Sequence, residues 1–204
     1  MSLNDESNIQ SVPKVLVFDL DGCVWDPEMY ELWGGGGAPF KNLPNGNLSD
    51  RSGTTVRLLG DVRQLMYEFK TNTLWSNTVI AVASSCDEPS WAKECIQKFP
   101  VGPDGDFKLN DVFSLGHTEI YKGGKDRHLR SIQQKCKNGV TFKDMMFFDN
   151  QYDNCNTVAK LGVTVVYTPD GVTRQAFSEA LERFPAPCHD NGIVYLCLCL
   201  FIVE

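Results

Sequence analysis

The sequence predicts an α/β domain: a three-layer sandwich with helices on both faces of a mainly parallel, Rossmann-like central sheet, and no large cap domain. Three features point there. Short apolar runs too brief for globular helices recur along the chain, segments of helical period lie between them, and polar residues close the runs.

The strand-like runs are Lys14 to Asp21, Thr78 to Ser84, Asp111 to Leu115, Asp144 to Asp149 and Val163 to Tyr167, several rich in Val, Ile or Phe. Helical spacing joins Leu58, Leu59, Val62, Leu65, Met66 and Phe69 on one face. It returns at Trp91, Ala92, Cys95, Ile96 and Phe99, at Leu129, Ile132 and Cys136, and at Val172, Ala176, Phe177, Ala180, Leu181 and Phe184. Strand and helix in alternation imply right-handed crossovers and a parallel sheet, whose ligands bind beyond the carboxyl ends of the strands. The residues there are Asp19 and Asp21, then Ser84 and Ser85, then Asp149, Asn150 and Asp153.

Residues 26–56 break the rhythm with Gly34-Gly35-Gly36-Gly37, Asn45-Gly46 and Asp50-Arg51-Ser52-Gly53. They read as a flap of turns with room for a hairpin, too short for a cap domain, which leaves the mouth of the site open. The domain is expected over 14–184, preceded by a disordered or extraneous polar segment at 1–13 and followed by a tail at 185–204. Within that tail Ile193 to Val203 is unbroken apolar sequence, too short to span a bilayer as a helix. It reads as an edge strand or helix closing the domain, with a membrane or partner contact as the other reading.

The 204 residues are 42% apolar and 22% charged, ordinary for one folded domain. A net charge of -7 without a concentrated basic stretch argues against nucleic-acid binding. Eight scattered cysteines with no Cys-x-x-Cys pair argue against a zinc site and read as reduced thiols. No signal-peptide core opens the chain, so a cytoplasmic monomer is expected.

Asp19 and Asp21 stand two apart at the end of an apolar strand, where the chain is expected to turn, and Gly22 permits the turn. Such a turn can present a nucleophile, set a second carboxylate near a leaving group, and aim N–H groups at an anion. Taken alone, Asp-x-Asp-Gly is equally a common turn or a fragment of a calcium loop. Lys125 after Gly123-Gly124 opens a predicted helix and could meet a phosphate, or be a solvated lysine. Ser84 could bind an anion or cap a helix. Asp149, after Met145-Met146-Phe147-Phe148, is a carboxylate on an apolar strand, which requires a cation or donors.

Taken together, Asp19-Leu20-Asp21-Gly22-Cys23-Val24, Val82-Ala83-Ser84-Ser85, Gly124-Lys125 and Phe147-Phe148-Asp149-Asn150 resemble the four motifs of the haloacid dehalogenase superfamily. The likeness is closer to its capless eukaryotic magnesium-dependent phosphatases, of acid phosphatase type. It extends to Trp25, Asp50-Arg51-Ser52-Gly53, Ile120-Tyr121 and Leu161-Gly162-Val163-Thr164, covering about residues 14 to 184. The resemblance implies Mg2+ at Asp19, Asp149 and the backbone carbonyl of Asp21. It also implies attack by Asp19 on phosphorus to give an aspartyl-phosphate, with Asp21 as general acid and then base. Leu20, Ser84, Ser85 and Lys125 would hold the phosphate, on a phosphorylated small molecule or phosphoprotein, with phosphotyrosine and sugar phosphates as the candidates.

Three positions depart from the family pattern. Cys23 stands for a Thr, Ser85 for an Arg, and Asn150 for the second Asp of the last motif, with Asp153 four residues past Asp149 as an outer-shell candidate. These departures leave a second reading, a catalytically weak phosphate-binding or scaffold protein. His117 and His128 fall on no catalytic motif position, and His128 reads as a surface or supporting residue. Trp25, Trp33 and Phe40 either stack on a substrate or anchor the flap. A cysteine phosphatase is excluded because no cysteine has Arg six residues on.

Overall fold

The computed structural model describes residues 11–137 and 139–185. In chain order these form β1 (Val15–Phe18), β2 (Trp25–Asp26), β3 (Lys41–Asn42), β4 (Leu48–Ser49), β5 (Thr55–Leu58), α1 (Val62–Thr71), β6 (Val79–Ser84) and α2 (Pro89–Lys98). There follow β7 (Pro100–Val101), β8 (Phe107–Lys108), α3 (Leu109–Val112), β9 (Thr118–Ile120), α4 (Lys125–Lys135), β10 (Met145–Asp149), α5 (Tyr152–Ala159), β11 (Thr164–Tyr167) and α6 (Arg174–Arg183).

Five parallel strands make the central sheet in the order β11-β10-β1-β6-β9. Its middle strand β1 is buried along its whole length, which is why Val15-Leu16-Val17-Phe18 is continuously apolar rather than alternating. The side chains still alternate between two cores. Leu16 and Phe18, with Met146 and Phe148, pack under α1, α2 and α6. Val15 and Val17, with Met145 and Phe147, face Leu129 and Ile132 of α4 and Val158 of α5. Phe148 stacks on Phe18 with ring centroids 4.7 Å apart, and both lie against further aromatic side chains of α1 and α6.

The flap is a sheet of its own. Four short strands pair antiparallel in the order β2-β5-β4-β3. Asp50 is its hub: buried, it accepts from the backbone N–H groups of Gly37, Ser52 and Thr54 and from the Ser52 hydroxyl. Burial pushes this carboxyl up, but those donors outweigh it and hold it below its ordinary value.

Several expectations are corrected. Asp111 to Leu115 is no strand: Leu109–Val112 is a short helix, because the Asp111 carboxylate accepts from the Lys108 backbone N–H while Leu109 and Val112 bury three apart. The edge strand comes later, at Thr118–Ile120. Leu58 and Leu59 do not open α1. Leu58 pairs with Trp25 in the flap, Leu59 N–H donates to the Val24 carbonyl, and Gly60 at φ +49° separates them from the helix. Val172 likewise precedes α6, whose cap is the Thr173 hydroxyl accepting from Ala176 N–H. Helix α5 was not foreseen, since Tyr152–Ala159 buries only Cys155 and Val158.

The five described cysteines, 23, 86, 95, 136 and 155, are free thiols. Among the described residues no helix is long and apolar enough to cross a membrane. The apolar run Ile193 to Val203, and most of the expected segments 1–13 and 185–204, lie outside the described residues.

Candidate active site

Adjacent strands β1 and β10 end side by side, Phe18 in register with Phe148, so the next residue of one and the last of the other share one edge of the sheet. Those residues are Asp19 and Asp149, at 5% and 0% exposure. Between them stands Lys125, the first residue of α4, 3% exposed. Its Nζ donates to Asp19 Oδ1 at 2.5 Å and to the Ala83 carbonyl at 2.7 Å, and lies 3.3 Å from Asp149 Oδ2. Three segments far apart in sequence therefore place two carboxylates and one ammonium in a water-poor cluster of net charge about minus one.

The charge balance shows in the acidities. Burial pushes the Asp19 carboxyl up to about 7 against the pull of Lys125, with Asp149 adding to the rise. Burial works to discharge Lys125 as well, but the two carboxylates prevail and raise its pKa. Asp149 is further held by the Gln151 backbone N–H at 2.7 Å and by the Asn154 amide, whose Nδ2 lies 3.2 and 3.1 Å from its two oxygens.

After Asp19 the chain curls tightly. The Leu20 carbonyl accepts from the N–H groups of Cys23, Val24 and Trp25. Gly22 makes the curl possible at φ +74°, and a Cβ there would come within 2.2 Å of the Asn150 amide nitrogen. The turn sends Asp21 away from the Lys125 cluster. Its Oδ1 accepts from Trp25 Nε1–H at 2.7 Å. Burial leaves this carboxyl above its ordinary value.

The other expected site residues divide. Ser84 is buried beside the cluster, its Oγ accepting from Cys86 N–H at 3.3 Å. Ser85 turns to the loop before Lys125 and donates to the Gly123 carbonyl at 2.6 Å. Asn150 packs over Gly22, and its buried Oδ1 has no partner. Asp153 points to solvent on the first turn of α5, and the residue of that helix that reaches Asp149 is Asn154. Cys23 is fully buried, 3.4 Å from the Thr168 hydroxyl. Trp25 and Phe40 are buried anchors of the flap, while Trp33 is 57% exposed and donates to Glu88. His128 is not a surface residue: it is fully buried, Nε2 3.1 Å from the Tyr121 carbonyl. Beside Gly22 and Asn150 opens a cleft of about 360 Å3, bordered also by Asp26, Arg57 and Asp170.

Among the described residues no three His, Cys, Asp or Glu side chains converge as a ready-made metal cluster. What converges is one pair of carboxylates with a lysine, beside a second, separately held aspartate. A model of the acid phosphatase family matches residues 11–186, which includes all of these groups. The chain belongs to the acid phosphatase family. This acid phosphatase is 32% identical over 182 residues to human "Magnesium-dependent phosphatase 1", covering 85% of this chain and 88% of that protein. Its fold is similar to the N-terminal part of protein BF1531 from Bacteroides fragilis, described as containing a phosphatase domain complexed with Mg, at TM-score 0.56 and 22% identity. That match covers 90% of this acid phosphatase but 44% of the bacterial chain, and it concerns the fold. The haloacid dehalogenase-like architecture and phosphatase activity expected of the chain follow.

Sequence reasoning missed Asn154 as a supporting group, because only the start of α5 brings it to the Asp149 carboxylate.

Proposed function

We propose that this chain hydrolyses phosphomonoesters through an aspartyl-phosphate on Asp19, with a magnesium ion as cofactor. The observation that carries the reading is Lys125 Nζ bracketed by Asp19 and Asp149 at the carboxyl edge of the sheet. The residues fit the ion. Two buried carboxylates share one ammonium, burial pushes the Asp19 carboxyl up to about 7 with Asp149 adding to the rise, and the buried amide oxygen of Asn150 beside them has no partner. All are hard oxygen donors of the kind Mg2+ takes. Asp19, Asp149 and the backbone carbonyl of Asp21 would hold it, and when bound it supplies the positive charge that lets a carboxylate approach a phosphate.

The protein's own groups do the rest. Lys125 and the N–H groups of the 19–22 turn hold the non-bridging phosphate oxygens, with Ser84 beside them. An Asp19 oxygen attacks phosphorus in line while the phosphorus–ester oxygen bond breaks, and Asp21 gives its proton to the departing oxygen. Asp21, now ionised, takes a proton from water as that water attacks phosphorus, which breaks the bond to Asp19 and frees phosphate. The short flap, with no cap domain among the described residues, favours a phosphate carried on an accessible group, a protein tyrosine or a sugar.

The test is hydrolysis of p-nitrophenyl phosphate with Mg2+, with EDTA, and by Asp19→Asn. Turnover that requires Mg2+ and falls on the order of 10⁴-fold or more in the variant is expected. Activity that survives chelation or the substitution overturns the mechanism.

A further inference from the structure

The segment that delivers Lys125 is, by its sequence, a poor one for holding anything still. Tyr121-Lys122-Gly123-Gly124 ends in two glycines, and α4 begins after Gly124, which has no side chain to offer as a cap. Yet the ammonium at the end of the flexible Lys125 stem has to meet Asp19, Asp149 and the Ala83 carbonyl together.

The carbonyls of Tyr121, Gly123 and Gly124 are all taken. The Ser85 hydroxyl, one residue past β6, donates to the Gly123 carbonyl at 2.6 Å. His128 Nε2 lies 3.1 Å from the Tyr121 carbonyl, and its ring stands edge-on to the Tyr121 ring with centroids 4.3 Å apart. The Gly124 carbonyl accepts from the backbone N–H groups of Arg127 and His128. Of the hydrogen bonds on these carbonyls, only those from Ser85 and His128 come from side chains. We infer that Ser85 and His128 are positioning residues: they fix the Gly123-Gly124 approach to α4 and so aim the Lys125 ammonium at the phosphate. The inference rests on the reading of Lys125 as a phosphate-holding group given above.

Each residue carries a mark of that use. A hydroxyl has one proton to donate, and Ser85 gives it to the Gly123 carbonyl, which leaves none for a phosphate oxygen. Where the family pattern has Arg, this chain turns a short donor onto the loop beside the lysine. His128 is fully buried on α4, as are Leu129 and Ile132. A carbonyl only accepts, so Nε2 carries the proton of the neutral ring and Nδ1 is left an acceptor, buried and without a partner. An apolar side chain would avoid that unpaired nitrogen; what the imidazole adds is the donor to Tyr121.

The test is p-nitrophenyl phosphate hydrolysis with Mg2+, together with calorimetric binding of inorganic phosphate by the full chain. Ser85→Ala and His128→Leu are each expected to lower kcat/KM about tenfold or more and to weaken phosphate binding, with the melting temperature unchanged or, for His128→Leu, raised. Ser85→Thr and His128→Gln keep a donor and should return to within about threefold of the parent. Added to Lys125→Met, neither Ser85→Ala nor His128→Leu should cost anything further, since both act through the lysine. A further loss in the double variant makes Ser85 a direct phosphate ligand and overturns its positioning role. Turnover that falls with melting temperature in His128→Leu and is not restored by His128→Gln makes that residue a packing element and overturns its role. If Lys125→Met does not fold, the donor-keeping variants decide alone. Parent-like Ser85→Ala and His128→Leu beside an inactive Lys125→Met overturn the inference and leave the lysine in place, whereas a Lys125→Met protein as active as the parent overturns the reading of the site itself.

Discussion

Lys125 carries one positive charge against two buried carboxylates, and this imbalance gives opposite expectations for neighbouring residues. Lys125→Met strands Asp19 and Asp149 together without a counter-ion, so metal-free protein should lose about 3 kcal/mol in urea denaturation as well as its activity. Asp19→Asn removes one of the competing acids and should abolish turnover with stability unchanged or raised. Paired measurements therefore separate charge balance from chemistry; equal destabilisation by both would contradict it. Gly22 is as strictly placed. Gly22→Ala meets an unfavourable φ of +74° and the Asn150 amide, and should lower activity at least about tenfold by displacing the Asp21 turn.

At the scale of the element, the flap is organised by one acid. Asp50 accepts from Gly37, Ser52 and Thr54, and its carboxyl is held below the ordinary range. A depressed carboxylate contributes stability above its unfolded pKa, about 3.9, and that contribution is lost as pH falls through the lower folded value. Asp50→Asn should therefore cost about 2 kcal/mol near neutrality, with the difference from the parent shrinking below about pH 4. Urea titrations at several pH values check it. A difference that is flat with pH would remove the ionised hub. Elements also show where sequence patterns mislead. Asp111 to Leu115 has the apolar content of a strand, but Asp111 turns back to cap its own helix, and a run of four or five residues holds no period long enough to tell the two apart. Helix α5 failed the opposite way, since its face toward the sheet is only Cys155 and Val158.

Across the whole molecule, aromatic contacts within the core under α1, α2 and α6 tie β1, β10 and α6 together. Phe148 stacks between Phe18 and Phe177, and Phe148→Ala should cost about 3–5 kcal/mol in a cooperative unfolding transition. Because the metal reading requires binding to the folded site alone, Mg2+ at a hundred times its dissociation constant should add about 2.7 kcal/mol to stability, and Asp149→Asn should remove the gain. A melting temperature that does not respond to Mg2+ would count against the ion at this site. Sequence alone determined the fold class and the order of the four motifs. Strand residues buried on both faces must be apolar, so β1, β6 and β10 announce themselves, and the polar residues closing them, Asp19, Ser84 and Asp149, are conspicuous by contrast. Tertiary structure decided the rest: that Lys125 lies between Asp19 and Asp149, and that Asn154 rather than Asp153 reaches Asp149. Those contacts join residues far apart in sequence, or choose between neighbours on one helical turn, and side-chain direction there is set by packing, which leaves no periodic trace in the chain.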